Sequence, residues 1–160
     1  MDIFVFGTLR SDTLRKIVLG RDMSSDDICR ATIKDFRVYW AKEGPFPVMI
    51  PKPNSETHGL VLRNLSEPDI ERLNYYELGF DYVLAPTWVE THAGQIEVSA
   101  YFCNRSDMAT TKLWSFNDWL SDHSEIQYLA AQEFLDFFGT KFGDTAQVMY
   151  NLSLIHISEP

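Results

Sequence analysis

The sequence predicts an α+β domain. Three observations carry that expectation: candidate strands outnumber candidate helices, they follow one another instead of alternating with helices, and the first is a short apolar run closed by glycine. That run is Ile3-Phe4-Val5-Phe6, ended by Gly7, and its lack of alternation marks a strand buried on both faces. A helix follows. Ser11 or Asp12 can cap it, Leu14, Ile17 and Val18 fall at helical spacing, and Gly20 stops it. Ile28 to Ala41 is rich in β-branched and aromatic residues, a strand signal, and Gly44-Pro45-Phe46-Pro47 then forces a turn. Val48 to Ile50 reads as a brief strand closed by Pro51, and His58 to Leu62 as another.

Ser66-Glu67-Pro68-Asp69 has the marks of a helix start: a serine cap, a carboxylate three residues on and a proline in the first turn. Tyr82 to Glu90 and Gln95 to Phe102 form a hairpin around His92-Ala93-Gly94. In its second strand Ile96, Val98, Ala100 and Phe102 face inward, opposite Glu97, Ser99 and Tyr101. Pro86 interrupts the first strand and implies an edge or a bulge there. Ser115 opens a helix with Phe116, Trp119 and Leu120 on one face. Ile126, Leu129, Ala130, Phe134, Phe137 and Phe138 draw a second helical stripe ending at Gly139, which serves as core or, as the weaker alternative, as a dimer face.

At 160 residues the chain fits one domain, expected over residues 1–150. The last residues, Ser153 to Pro160, resemble a translated sequencing-adaptor tail, so 151–160 is expected to be non-native. Lysine and arginine number 14 against 23 acidic residues, a net charge of -9 that repels phosphate backbones and anionic lipid. Neither nucleic acid nor a membrane is an expected partner. Cys29 and Cys103 lack metal-ligand spacing, and no secretory segment or long apolar span is present, so reduced thiols and a cytoplasmic location are expected. His58, His92, His123 and His156 are scattered singly. Without G-x-S-x-G, Walker or G-x-G-x-x-G patterns either, the reading expects no metal and no cofactor.

Two features remain that could carry chemistry. In Phe6-Gly7-Thr8-Leu9-Arg10 a buried strand breaks at glycine and runs toward a helix N-terminus, so backbone N–H groups can converge on a carboxylate or phosphate. The alternative is an ordinary tight turn with Gly7 chosen for its backbone angles. The second feature is Glu77. Counting from the helix start, Ile70, Leu73, Asn74 and Glu77 follow the i, i+3, i+4, i+7 rule, which aims this carboxylate at the core. Burial and the negative end of the helix dipole both raise its pKa toward the range of a neutral-pH acid/base. The alternative is a glutamate paired with an arginine. Glu67 and Glu71 fall on the outer face.

Together the two features resemble the gamma-glutamylcyclotransferase-like superfamily. Ile3 to Arg10 resembles its opening strand and Y-G-T-L loop, Phe46 to Pro51 its mid-chain proline element, His58-Gly59-Leu60-Val61 its glycine-bearing strand, and Leu73 to Glu77 with Tyr82 its glutamate signature. The resemblance covers residues 2 to 104 and implies a small mixed, barrel-like β-sheet with flanking helices. It also implies release of 5-oxoproline from a small-molecule γ-glutamyl substrate, without metal or covalent enzyme intermediate. Glu77 is implied as the acid/base, the backbone from Phe6 through Gly7, Thr8 and Leu9 to Arg10 as the carboxylate cradle, and Tyr82 as a pocket wall. Three positions depart from the pattern: Phe6 stands where the loop has tyrosine, Asn74 where the helix has aspartate, and Leu78 where glycine follows the glutamate. The departures leave open a non-catalytic ligand-binding or accessory module. The segment from Trp114 to Phe138 is similar to one that precedes a Nudix hydrolase of the ADP-ribose pyrophosphatase or tellurite-resistance type. That similarity implies a lost C-terminal Nudix partner, although the Nudix box itself is absent from these residues. The leaving amine and the oligomeric state stay open.

Overall fold

The computed structural model describes residues 1–77 and 82–140, with Asp144. Leu78, Gly79 and the expected tail 151–160 lie outside the described residues. The chain forms β1 (Ile3–Val5), α1 (Asp12–Leu19), β2 (Ile28–Ala41), β3 (Pro47–Leu62), α2 (Glu67–Glu77), β4 (Tyr82–Thr91), β5 (Gly94–Cys103), β6 (Ala109–Leu113), α3 (Phe116–Asp122) and α4 (Ser124–Asp136). The strands make one sheet in the order β3-β1-β5-β4-β2-β6. Because β3 also pairs with β2, five strands close into a barrel and β6 extends it beside β2. Only the β1–β5 pair is parallel among these neighbours, so the mixed barrel-like α+β architecture expected from the sequence is the one observed.

The apolar run of β1 is continuous because it faces two cores. Phe4 and Phe6 join Ile33, Val38, Met49, Val61, Val89 and Val98 inside the barrel. Ile3 and Val5 instead pack with Leu14, Val18, Leu73, Trp119 and Phe134 from the helices outside. A strand with no solvent face shows no alternation. Tyr101, expected on the solvent side of β5, is 4% exposed because the helices cover that end of the strand as well.

Helix starts follow the expected chemistry. Ser11 caps α1, its Oγ accepting from the Leu14 amide at 3.2 Å, and Gly20 closes it with φ 70°. At α2 the Asp69 amide donates to Ser66 Oγ while the Ser66 amide donates to Asp69 Oδ2 at 2.9 Å, a reciprocal box with aspartate in the third position. Asp69 is 3% exposed and also receives both Arg21 Nε and Nη2, which hold its carboxyl down at about 2. Its unfolded value is near 3.8. The native state therefore gains stability from the ionised form above that value and loses it as pH falls through about 2. Asp69→Asn is expected to lower stability at pH 7 by about 2 kcal/mol and to flatten the acid limb of a melting-temperature profile between those pH values. An unchanged acid limb would count against the Arg21–Asp69 pair.

Two expectations are corrected. The segments read as separate strands around Pro51 are one strand, β3, which pairs with β2 on both sides of an excursion. Proline is tolerated there because β1 reaches only Leu60 to Leu62, so among the described residues the other edge of β3 near Pro51 has no ladder for it to break. The excursion is pinned by the Asn54 amide on Asp35 Oδ1 and by Ser55 Oγ on the Phe36 carbonyl. The stripe on α4 is also shifted. Gln127, Ala131, Phe134 and Leu135 are buried, whereas Ile126, Leu129 and Phe137 are exposed. Periodicity reading rejects a buried glutamine, and here the glutamine has two partners.

Candidate functional site

Strand β1 ends beneath a 3₁₀ turn, Thr8–Arg10, which intervenes before α1. The turn spends the amides of Arg10 and Ser11 on the carbonyls of Gly7 and Thr8, each at 3.0 Å. The Thr8 and Leu9 amides precede that ladder and have no acceptor within the turn. Arg15, 5% exposed, fixes the turn from behind: Nη1 donates to the carbonyls of Leu9 at 2.9 Å and Arg10 at 2.8 Å, and Nη2 pairs with Asp12. Gly7 has φ -122°, so a left-handed φ is not what requires glycine. Proximity is: a Cβ at Gly7 would lie 2.5 Å from Pro47 Cγ.

Glu77 closes the last turn of α2 and faces the same place. It lines one cavity with Phe6, Gly7, Thr8, Leu9 and Tyr82, all expected from the sequence, and with Phe46, Pro47, Tyr76, Tyr101 and Gln127, which were not. The cavity holds about 50 Å³, room for roughly four waters, so only the head of a ligand goes inside. Its walls are mainly apolar. Burial among them pushes the Glu77 carboxyl up to about 7, and no arginine or other hydrogen-bond partner is found for it among the described residues. The helix C-terminus acts in the same direction.

The tyrosines around the carboxyl are fixed hydroxyl donors. Tyr82 donates to the Pro47 carbonyl at 3.1 Å, and burial followed by the neighbouring Glu77 raises its pKa well above the ordinary phenol. Tyr101 donates to Asn74 Oδ1 at 2.7 Å and is raised by the same two causes in the same order. Trp119 Nε1 donates to Gln127 Oε1 at 2.9 Å, and Gln127 Nε2 donates to the Tyr76 hydroxyl at 2.7 Å. Asn74 therefore has a structural partner where the resemblance would put aspartate. The Arg10 side chain is not part of the cavity: its guanidinium lies 4.6 Å from the Phe116 ring centroid and lines a separate groove.

Residues 3–121 match the family model described as gamma-glutamyl cyclotransferase, AIG2-like, about three quarters of the sequence. The chain belongs to this family. The AIG2-like match includes the Gly7 turn and Glu77 but ends before α4, so Gln127 enters the cavity from outside the matched span. AIG2-like protein B of Arabidopsis thaliana is 26% identical over 138 residues, covering 84% of this chain and 78% of that protein. AIG2-like protein A of the same plant is 24% identical over 127 residues, 78% of this chain and 74% of that one. A solution structure of an Arabidopsis thaliana protein shares the fold at TM-score 0.61 and 20% identity, covering 89% of this chain and 86% of that one. The crystal structure of YkqA from Bacillus subtilis does so at 0.59 and 16%, covering 94% of this chain and 54% of that one. Among the described residues of the AIG2-like chain, no helix is long and apolar enough to cross a membrane.

Proposed function

We infer that this AIG2-like protein cyclises a γ-glutamyl compound to 5-oxoproline and a free amine. The supporting observation is that Glu77, from the end of α2, and Gly7, Thr8 and Leu9, from the turn after β1, line one cavity. In the proposed reaction the Thr8 and Leu9 amides receive the substrate's α-carboxylate. Glu77 takes a proton from the α-ammonium, and the freed amine attacks the γ-carbonyl. A C–N bond forms to close the five-membered ring, the C–N bond to the leaving amine breaks as Glu77 protonates its nitrogen, and the ionised Glu77 then takes the second proton of the ring nitrogen and passes it to solvent. The nucleophile belongs to the substrate, so the protein's work is to hold a ring-closing geometry and to relay protons through Glu77. A carboxyl with a pKa of about 7 exists in both protonation states near neutrality, as both half-steps require.

Incubation with a panel of γ-glutamyl amines and dipeptides, followed by chromatographic assay of 5-oxoproline, tests the reading. Release with turnover, abolished in Glu77→Gln, is the expected result. The replacement of the loop tyrosine by Phe6 favours a second reading, a module that binds a γ-glutamyl or similar acidic compound without turning it over. Saturable binding with no product across the panel would establish that reading instead.

A further inference from the structure

We propose that the groove behind the substrate turn is a binding site for a small ligand carrying at least two oxyanion groups, phosphate or carboxylate. The groove is separate from the Glu77 cavity and far roomier, about 720 Å³, and it is bounded by Arg10, Arg30, His58, Glu90, His92 and Phe116 among others. Arg10 is half-buried in its wall with the guanidinium over the Phe116 ring, and no carboxylate pairs with it among the described residues. Arg30 is exposed on the outer face of β2 and likewise has no ion-pair partner among them. By contrast Arg15, Arg21, Lys34 and Arg105 each hold an aspartate or glutamate.

Arg37, Arg63 and Arg72 also have no ion pair among the described residues, so what sets the groove apart is that two guanidinium-bearing residues free of a carboxylate, Arg10 and Arg30, line one concavity. Withdrawing a guanidinium from water without a counter-charge is unfavourable, and a cation–π contact offsets only part of that cost. The groove's one carboxylate, Glu90, already faces Lys34 at 3.7 Å. His58 is tied through Nδ1 to Thr32 Oγ1 at 2.9 Å and lies beside Glu56, leaving the two arginines as the forks for incoming oxygens. A planar guanidinium binds phosphate and carboxylate oxygens bidentately, which is the chemistry the ligand must supply.

The test is a titration of the full chain with sodium pyrophosphate and, separately, with citrate, by calorimetry and amide chemical shifts, at ionic strength held constant with sodium chloride. The expected result is saturable binding of at least one of them, with shifts centred on Arg30, Leu60 and Thr91. Preference for pyrophosphate assigns a phosphate-bearing ligand, and preference for citrate a carboxylate. Arg30→Gln and Arg10→Met are each expected to weaken binding about tenfold or more, while Arg30→Gln leaves 5-oxoproline release at the wild-type rate. No saturable binding of either anion at millimolar concentration overturns the proposal, as does affinity undiminished in Arg30→Gln. Shifts confined to Thr8, Leu9 and Glu77 and displaced by 5-oxoproline also overturn it, since they place the anion in the Glu77 cavity. Binding is read independently of turnover, so loss of the cyclase reading leaves this result standing or falling by itself.

Discussion

Glu77→Gln is expected to abolish turnover while making the protein harder to unfold at neutral and alkaline pH. The two effects share one cause. In the native cavity the carboxyl titrates at about 7 instead of 4.5 because burial penalises its charged form. An acid with a raised native pKa holds its proton in the folded state over a range where the unfolded chain has lost it. Stability therefore falls as pH rises from about 4.5 to 7, and the full penalty applies above that range. A shift of this size corresponds to at most about 3 kcal/mol, and solvent entering at the cavity mouth reduces the expected value to about 1–2 kcal/mol. Glutamine carries no charge to bury, so its melting temperature rises above pH 7 and stays close to wild type below pH 4.5. Removal of a general acid/base costs about 10²- to 10⁴-fold in rate, and the wild-type rate is expected to climb through pH 7 as the base ionises. Calorimetric melts across pH and an initial-rate profile check both halves. A variant equal to wild type in melting temperature at pH 8 shows a solvated carboxylate, and one equal in rate removes Glu77 from the chemistry.

The residues that meet at this site differ in how far they could be read in advance. Gly7 and Glu77 were legible because each violates a local pattern: a glycine interrupts an apolar strand, and an acid occupies the inward stripe of a helix. Their meeting in one cavity is a property of the closed sheet, since β1 and the C-terminal end of α2 are separated by some seventy residues of chain. Alternation along β5 points Tyr101 outward, and only the helices packed over that strand make it a cavity wall. Gln127 was invisible for a related reason. Hydrophobic periodicity counts it as a surface residue, yet bonds to Trp119 and Tyr76 make it cheap to bury, and this shifts the phase of all of α4. Pro51 hides the continuity of β3 from the sequence because proline usually ends a strand, and the lack of a partner at its other edge among the described residues is tertiary information. Sequence adjacency groups Arg10 with the turn, whereas in the fold its guanidinium lies over the Phe116 ring and lines a different groove from the one that Thr8 and Leu9 line.

Gly7→Ala is expected to cost about a hundredfold in kcat/KM, more than its effect on folding accounts for. The new methyl would sit 2.5 Å from Pro47 Cγ, inside any real carbon–carbon contact. Pro47 cannot yield easily: it begins β3 opposite Trp40, its ring is rigid, and its carbonyl accepts the Tyr82 hydroxyl. The turn must move instead, and with it the Thr8 and Leu9 amides proposed to hold the substrate's carboxylate. A displacement of about 1 Å at a positioning group costs on the order of 10²-fold in rate, while overpacking of this kind costs about 1–3 kcal/mol in stability. Gly94→Ala separates the two effects. Gly94 turns the distant β4–β5 hairpin with φ 109° and has open space around it, so alanine strains the backbone there without reaching the cavity. It is expected to lower the melting temperature with kcat and KM unchanged. If Gly7→Ala instead lowers stability and leaves kcat/KM where it was, the turn after β1 does not hold the reacting part of the substrate, and the cradle must be sought among the tyrosines facing Glu77.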